Sequence, residues 1–143
     1  MKRSASASWF GILRTGDGQL MTHSGALDRV PYSFATRFEN SPGTNPEELL
    51  AASHAACFTM AVCAAVTKAG FVPTRLSTQA VVSFDSVDGA WSITGSHLEL
   101  RAAVPEITAE VFAELAATAK ATCPISRALS VPVSLDAQLD LRR

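Results

Sequence analysis

Two cysteines stand in settings that suit thiol redox chemistry. Cys57 lies in an apolar, helix-like run, NPEELLAASHAACFTMA over 45–61, and Cys123 directly precedes a proline in ATCPISRAL over 121–129. They are far apart in sequence, so only the fold can bring them together. Two thiols that a fold can join and a reductant can separate suggest a redox enzyme. Each has a plainer alternative. A cysteine in an alanine-rich helix is commonly a small core residue, and Cys123 could be an inert thiol at a helix break. Residues before proline favour extended backbone, and proline suits the first position of a helix. Cys123 is therefore a candidate N-cap, its sulfur near backbone N–H groups that can lower a thiol pKa. On local physics alone Cys123 is the more acidic of the two. Cys63, six residues after Cys57, lies about 9 Å further along a helix axis. That exceeds the roughly 7 Å between Cα atoms that a disulfide tolerates, so Cys63 is expected to fill core.

Arg37, Glu47 and His54 are the other residues with chemistry to offer. Arg37 sits among Ala35, Phe34 and Phe38. Its default place is the surface; if buried it needs a carboxylate, and beside a thiol it would favour the thiolate. Glu47 and Glu48 open the apolar run and suit the positive end of a helix. Glu48 is three residues after Asn45, which fits a capping box, leaving Glu47 as the better candidate to hold Arg37. His54 precedes Cys57 by three residues and shares roughly its helix face. It is expected to serve packing or an interface.

These residues need elements to position them. Residues 5–14 and 19–24 are expected to form a hairpin around Gly16-Asp17-Gly18, and Tyr32–Phe38 a third, partly extended piece with Phe34 and Phe38 in the core. The punctuation Ser41-Pro42-Gly43 precedes a helix capped by Asn45, begun by Pro46 and closed by Gly70. From Ala51 to Val66 nearly every residue is apolar or small, so this helix is expected to be buried all round, mid-molecule or in a subunit interface. Two long strands, 75–85 and 90–103, are separated by a turn at 86–89. A helix opening at Thr108 or Pro105 carries Val111, Phe112, Leu115 and Ala119 on one face. A short helix follows from Pro124 to about Leu129, then a last strand over 131–141. The order predicts an α+β fold, a single domain over 1–143, with strands before and after a long central helix.

At 143 residues the chain is long enough to bury about two-thirds of its unfolded surface. A net charge of −1, with no basic run, argues against a nucleic-acid partner. The N-terminus lacks a signal-peptide core, and no apolar stretch is expected to reach the roughly 18 residues of a membrane span. A cytoplasmic location is the expectation. No C-x-x-C is present and the three histidines do not cluster, so no metal and no cofactor are expected.

The segment PYSFATRFENSPGTNPEELLAASHAACFTMA (31–61), taken with ATCPISRAL (121–129), resembles the OsmC/Ohr family of organic hydroperoxide reductases, and its TRFE stretch and His before Ala-Ala-Cys resemble the OsmC branch. The resemblance implies a thiol peroxidase with antiparallel strands around the buried helix and an intertwined homodimer. It implies Cys57 as the peroxide-attacking thiol and Cys123 as the resolving one. Arg37 is the implied activator of the thiolate, with Glu47 orienting it, and Cys63 matches no functional position. Cys57 in place of Cys123 as nucleophile reverses the local expectation; a cation beside a buried thiol can outweigh its desolvation. A Cys57–Cys123 disulfide, reopened by a dithiol such as the lipoyl group of the Ohr branch, would close the cycle. Glu47 precedes Cys57 by ten residues, about 15 Å of straight helix, so Glu47 is expected to serve the site of the partner subunit. The competing classes are a non-catalytic small-ligand-binding dimer and a thiol redox sensor. A thioredoxin-like oxidoreductase would need the missing second thiol of C-x-x-C.

Overall fold

Alternating side chains in the first third of the chain are realised as an antiparallel sheet of β1 (Ala5–Phe10), β2 (Asp17–Thr22) and β3 (Val30–Ser33), in that order. The computed structural model describes residues 1–140. The chain divides into two compact units, 1–49 and from Leu50 onward. β1 stops at Phe10, short of the predicted Arg14, because Gly11 turns to φ +87° and Gly16 N–H bonds the Ile12 carbonyl at 2.7 Å. In register, Gly18 stands between Trp9 and Tyr32. A Cβ at Gly18 would collide with the Tyr32 ring. Its absence lets the two aromatic rings close to 5.5 Å between centroids.

The predicted extended piece over Tyr32–Phe38 splits at Ser33 into β3 and a short helix, α1 (Phe34–Phe38). Thr36 N–H donates to the Ser33 hydroxyl at 3.2 Å, and Ser33 N–H donates to the Thr36 hydroxyl at 2.9 Å. This reciprocal cap lacks the usual sequence signature, because its third residue is threonine rather than Glu or Gln. Phe34 and Phe38 are half-buried neighbours, 4.8 Å apart, rather than core.

The long helix, α2, runs over Pro46–Lys68. Asn45 Oδ1 accepts from Glu48 N–H at 2.8 Å as expected. The Glu48 carboxylate takes the Thr44 hydroxyl instead, so the capping box is only half closed. Gly70, at φ +92°, ends the helix, with Phe71 N–H bonded to the Val66 carbonyl. α2 is not buried all round within one chain. His54, Phe58, Val62 and Val66 form a buried stripe, whereas Ala52, Ala56, Met60, Cys63 and Ala64 are exposed, Met60 by 74%. Cys63 is thus a surface thiol rather than core filler. By length and composition α2 is also apolar enough to cross a membrane. This corrects the expectation that no apolar stretch reaches membrane length: Ser53, His54 and Thr59 interrupt the run without lowering its average far.

The second unit is built on a sheet of β4 (Arg75–Val87), β5 (Ala90–Ala103) and β6 (Val133–Leu139). Asp88 and Gly89, both at positive φ, make the two-residue turn between β4 and β5. β6 pairs with β5 in parallel, which departs from the antiparallel expectation. Parallel neighbours need a crossover, supplied by α3 (Ala109–Thr122) and α4 (Pro124–Ala128). Leu141, the predicted end of the last strand, lies outside the described residues. Thr108 caps α3. Phe112, Ala116 and Ala119 of α3 pack with Phe58, Val62 and Val66 of α2 and with Leu98 and Leu100 of β5. Val111, predicted on the same face, is exposed.

Candidate active site

The crossover that β6 requires is what delivers Cys123. α3 ends with Cys123 N–H bonded to the Ala119 carbonyl at 2.9 Å, and Pro124 starts α4. The junction residue therefore points its sulfur back at α2, where Cys57 lies three turns into the helix. The two sulfurs are 3.2 Å apart. A disulfide bond is about 2 Å, so little movement separates dithiol from disulfide. Cys123 is fully buried and Cys57 partly exposed. A small reagent would reach Cys57 first.

Electrostatics within the second unit treat the two thiols oppositely. Burial pushes the Cys57 thiol up, and the neighbouring Cys123 adds to that, against a lowering influence from the Ile125 N–H. Burial also acts to raise Cys123. It is outweighed by the Ser126 N–H, the Cys57 thiol, the Ser126 hydroxyl and the Ile125 N–H, which together hold Cys123 below the ordinary thiol value. These N–H groups face the sulfur without closing a formal capping bond. The sequence expectation that Cys123 is the more acidic thiol holds for this unit by itself.

Arg37 and Glu47 meet in the first unit. Arg37 Nε donates to both Glu47 carboxylate oxygens at 3.2 Å, and a terminal nitrogen donates to Oε1 at 2.7 Å. Glu47 is buried and the Arg37 side chain is about a third exposed. A fork of this kind fixes a guanidinium in place. Arg37 also borders a hollow of about 210 Å³ lined by Trp9, Leu13, Tyr32, Phe34 and Phe38. The sequence carried no signal for this hollow, since its walls come from β1, β3, α1 and the loop after β1.

His54 is fully buried, and both ring nitrogens are engaged. Nδ1 lies 2.7 Å from the Ser96 hydroxyl on β5, and Nε2 lies 2.8 Å from the Ser126 hydroxyl on α4. Burial pushes its pKa down. Ser96 and Ser126 were not singled out in the sequence. The available signal was Ser126 in Cys-Pro-Ile-Ser, three residues beyond a candidate N-cap.

Residues 38–137 match the family described as OsmC-like protein. The chain belongs to the OsmC-like family. Peroxiredoxin OsmC of Escherichia coli (strain K12) is 46% identical over 137 residues, which are 96% of this OsmC-like chain and 96% of that protein. The organic hydroperoxide resistance protein of Xanthomonas axonopodis pv. citri (strain 306) is 39% identical over 89 residues, 60% of this chain and 59% of that one. The crystal structure of the organic hydroperoxide resistance protein OhrB of Bacillus subtilis superposes with a TM-score of 0.68 at 25% identity, covering 96% of this chain and 98% of that chain. The mixed α+β architecture read from the sequence is the OsmC/Ohr fold of these neighbours.

Proposed function

We propose that this chain reduces organic hydroperoxides through a Cys57–Cys123 cycle. An OsmC-like chain with relatives named peroxiredoxin and organic hydroperoxide resistance protein is a peroxidase. The observation that carries the two-thiol cycle is the 3.2 Å between the two sulfurs.

In this cycle the Cys57 thiolate attacks the peroxide, the O–O bond breaks, and the leaving alkoxide takes up a proton to become the alcohol. Cys57 is left as a sulfenic acid. Cys123 attacks that sulfur, the S–O bond breaks and water leaves. A dithiol, lipoyl-type or another, then reduces the Cys57–Cys123 disulfide by exchange and is itself oxidised to a disulfide. Arg37 is assigned the stabilisation of the Cys57 thiolate and Glu47 the orientation of Arg37. That a raised Cys57 thiol should be the nucleophile makes a cation necessary. The aromatic walls beside Arg37 support an organic substituent over hydrogen peroxide.

A homodimer belongs to the same proposal, because the exposed apolar face of α2 suits a second copy of the chain. Glu47 then serves the thiols of the partner subunit. The chain is taken to act as one domain, since the family match begins in one unit and ends in the other, and to work in the cytoplasm.

The test is cumene hydroperoxide treatment of the reduced protein followed by non-reducing peptide mapping. A Cys57–Cys123 disulfide with Cys63 still a thiol is expected. Three reduced thiols after peroxide would defeat the proposal and leave a ligand-binding dimer as the better account.

A further inference from the structure

His54 is buried without any charged partner shifting it; the influence on its pKa is burial. An imidazole that only filled space would be an expensive choice there, since a buried polar ring costs free energy unless its nitrogens are bonded. Two separate elements, β5 and α4, converge on α2 to bond both of them. The chain of groups has a direction. It starts inside the unit at Ser96, passes through His54, and ends at Ser126, whose hydroxyl lies beside the Cys123 sulfur. Two thiols stand nearby: Cys57 lies one turn along α2, and Cys123 is reached through Ser126. β5 contributes a hydroxyl.

A neutral imidazole offers one donor and one acceptor, and each hydroxyl can do both. With the ring proton on Nδ1 donated to Ser96, Nε2 accepts from the Ser126 hydroxyl. The Ser126 oxygen is then an acceptor facing the Cys123 thiol. The lowered ring pKa keeps His54 neutral near pH 7, which is the state this arrangement needs.

We propose that Ser126, His54 and Ser96 form a proton relay for Cys123, Ser126 touching the reacting sulfur and His54 positioned behind it. This rests on the two-thiol cycle proposed above. As Cys123 attacks the Cys57 sulfenic acid, its thiol proton passes to the Ser126 oxygen while the Ser126 proton passes to His54 Nε2. The Cys123 electron pair forms the S–S bond, and the Cys57 S–O bond breaks. The Ser126 hydroxyl gives its proton to the departing hydroxide, which leaves as water, and His54 Nε2 returns a proton to the Ser126 oxygen. In total, sulfenic acid plus thiol gives disulfide plus water. When a reductant thiolate attacks Cys57, Cys123 departs as a thiolate and the relay is again in place to return its proton.

A single-turnover experiment separates the two levels. Reduced protein is mixed with cumene hydroperoxide, quenched at intervals with a sulfenic-acid trap, and analysed by mass. The first phase reads sulfenic acid formation at Cys57, the second its conversion to disulfide. Ser126→Ala and His54→Gln are expected to leave the first phase at the wild-type rate and slow the second on the order of 10²-fold, the usual worth of a positioned acid–base group. Ser126→Thr, which keeps the hydroxyl, is expected to restore it. If His54→Gln does not fold, the Ser126 pair decides alone. A wild-type second phase in Ser126→Ala overturns the relay, as does equal slowing in Ser126→Ala and Ser126→Thr, which would mean a steric role. Absence of sulfenic acid in the wild type defeats the peroxidase cycle itself and the relay with it.

Discussion

A thiol held up by burial is a poor nucleophile until a cation favours its charged form. Cys57 is in that position, whereas Cys123 next to it is held down by the Ser126 and Ile125 N–H groups. The role assigned to Arg37 follows from this imbalance. Replacing Arg37 with Met is expected to move the pH dependence of Cys57 oxidation upward by about 1–3 units, the span an adjacent opposite charge usually commands. Near pH 7 the rate should fall accordingly, with Arg37→Lys intermediate because it keeps charge without the fork to Glu47. Stopped-flow oxidation across pH checks this, and an unmoved profile in Arg37→Met would remove Arg37 from the mechanism. Cys63→Ser, by contrast, should leave peroxide turnover unaltered, since Cys63 is exposed and the disulfide partners are already in contact. His54 makes a separate prediction about stability. Its folded pKa is lowered, so the unfolded state binds the proton more readily. Stability contributed by neutral His54 is present above the unfolded value of about 6.5 and lost as pH falls through that region. The slope of Tm against pH between about 7 and 5 should flatten in His54→Gln, whatever its absolute Tm.

At the scale of elements, two caps and one junction decide where the chemistry stands. Asn45 starts α2 and Thr108 starts α3, and each satisfies an N–H that would otherwise lack a partner. Thr108→Ala is expected to cost about 1 kcal/mol in chemical denaturation. Phe58→Ala should cost roughly 3–5 kcal/mol, because the ring is fully buried among α2, the sheet and α3. The ranking of the two is the decisive outcome: a Phe58 change as mild as the cap change would mean that α2 is not anchored through this stripe. The Cys123-Pro124 junction is an economical device. A proline that cannot continue α3 begins α4, and the break turns the thiol toward α2.

For the whole molecule, the apolar side of α2 is the feature that one chain leaves unexplained. Exposed Met60 with small neighbours at Ala52, Ala56 and Ala64 gives a surface on which another helix can approach closely. Sedimentation should therefore find twice the chain mass, and Met60→Glu should shift it toward the single chain. If Glu47 serves the partner subunit, that variant should lose peroxidase activity in parallel with dimer. A wild-type protein sedimenting as a monomer with full activity would remove the second copy from the proposal.

The residues themselves settled the elements whose causes are local. Asn45-Pro46 marked the start of α2, Asp88-Gly89 the long hairpin, and Cys123-Pro124 a helix break with an acidic thiol, because caps, turns and proline act within a few positions. The Ser33–Thr36 cap was equally local but carried an unfamiliar third residue. Tertiary structure alone decided that β6 lies parallel to β5, that Cys63 faces outward, and that His54 joins Ser96 to Ser126. A helix apolar on every side has no amphipathic stripe to say which side will be covered. A hydrogen bond spanning 42 or 72 residues leaves no periodic trace in sequence either. The Cys57–Cys123 contact lies between these cases. The two residue types proposed it, and the α3–α4 crossover, set by sheet topology, brought the sulfurs to 3.2 Å.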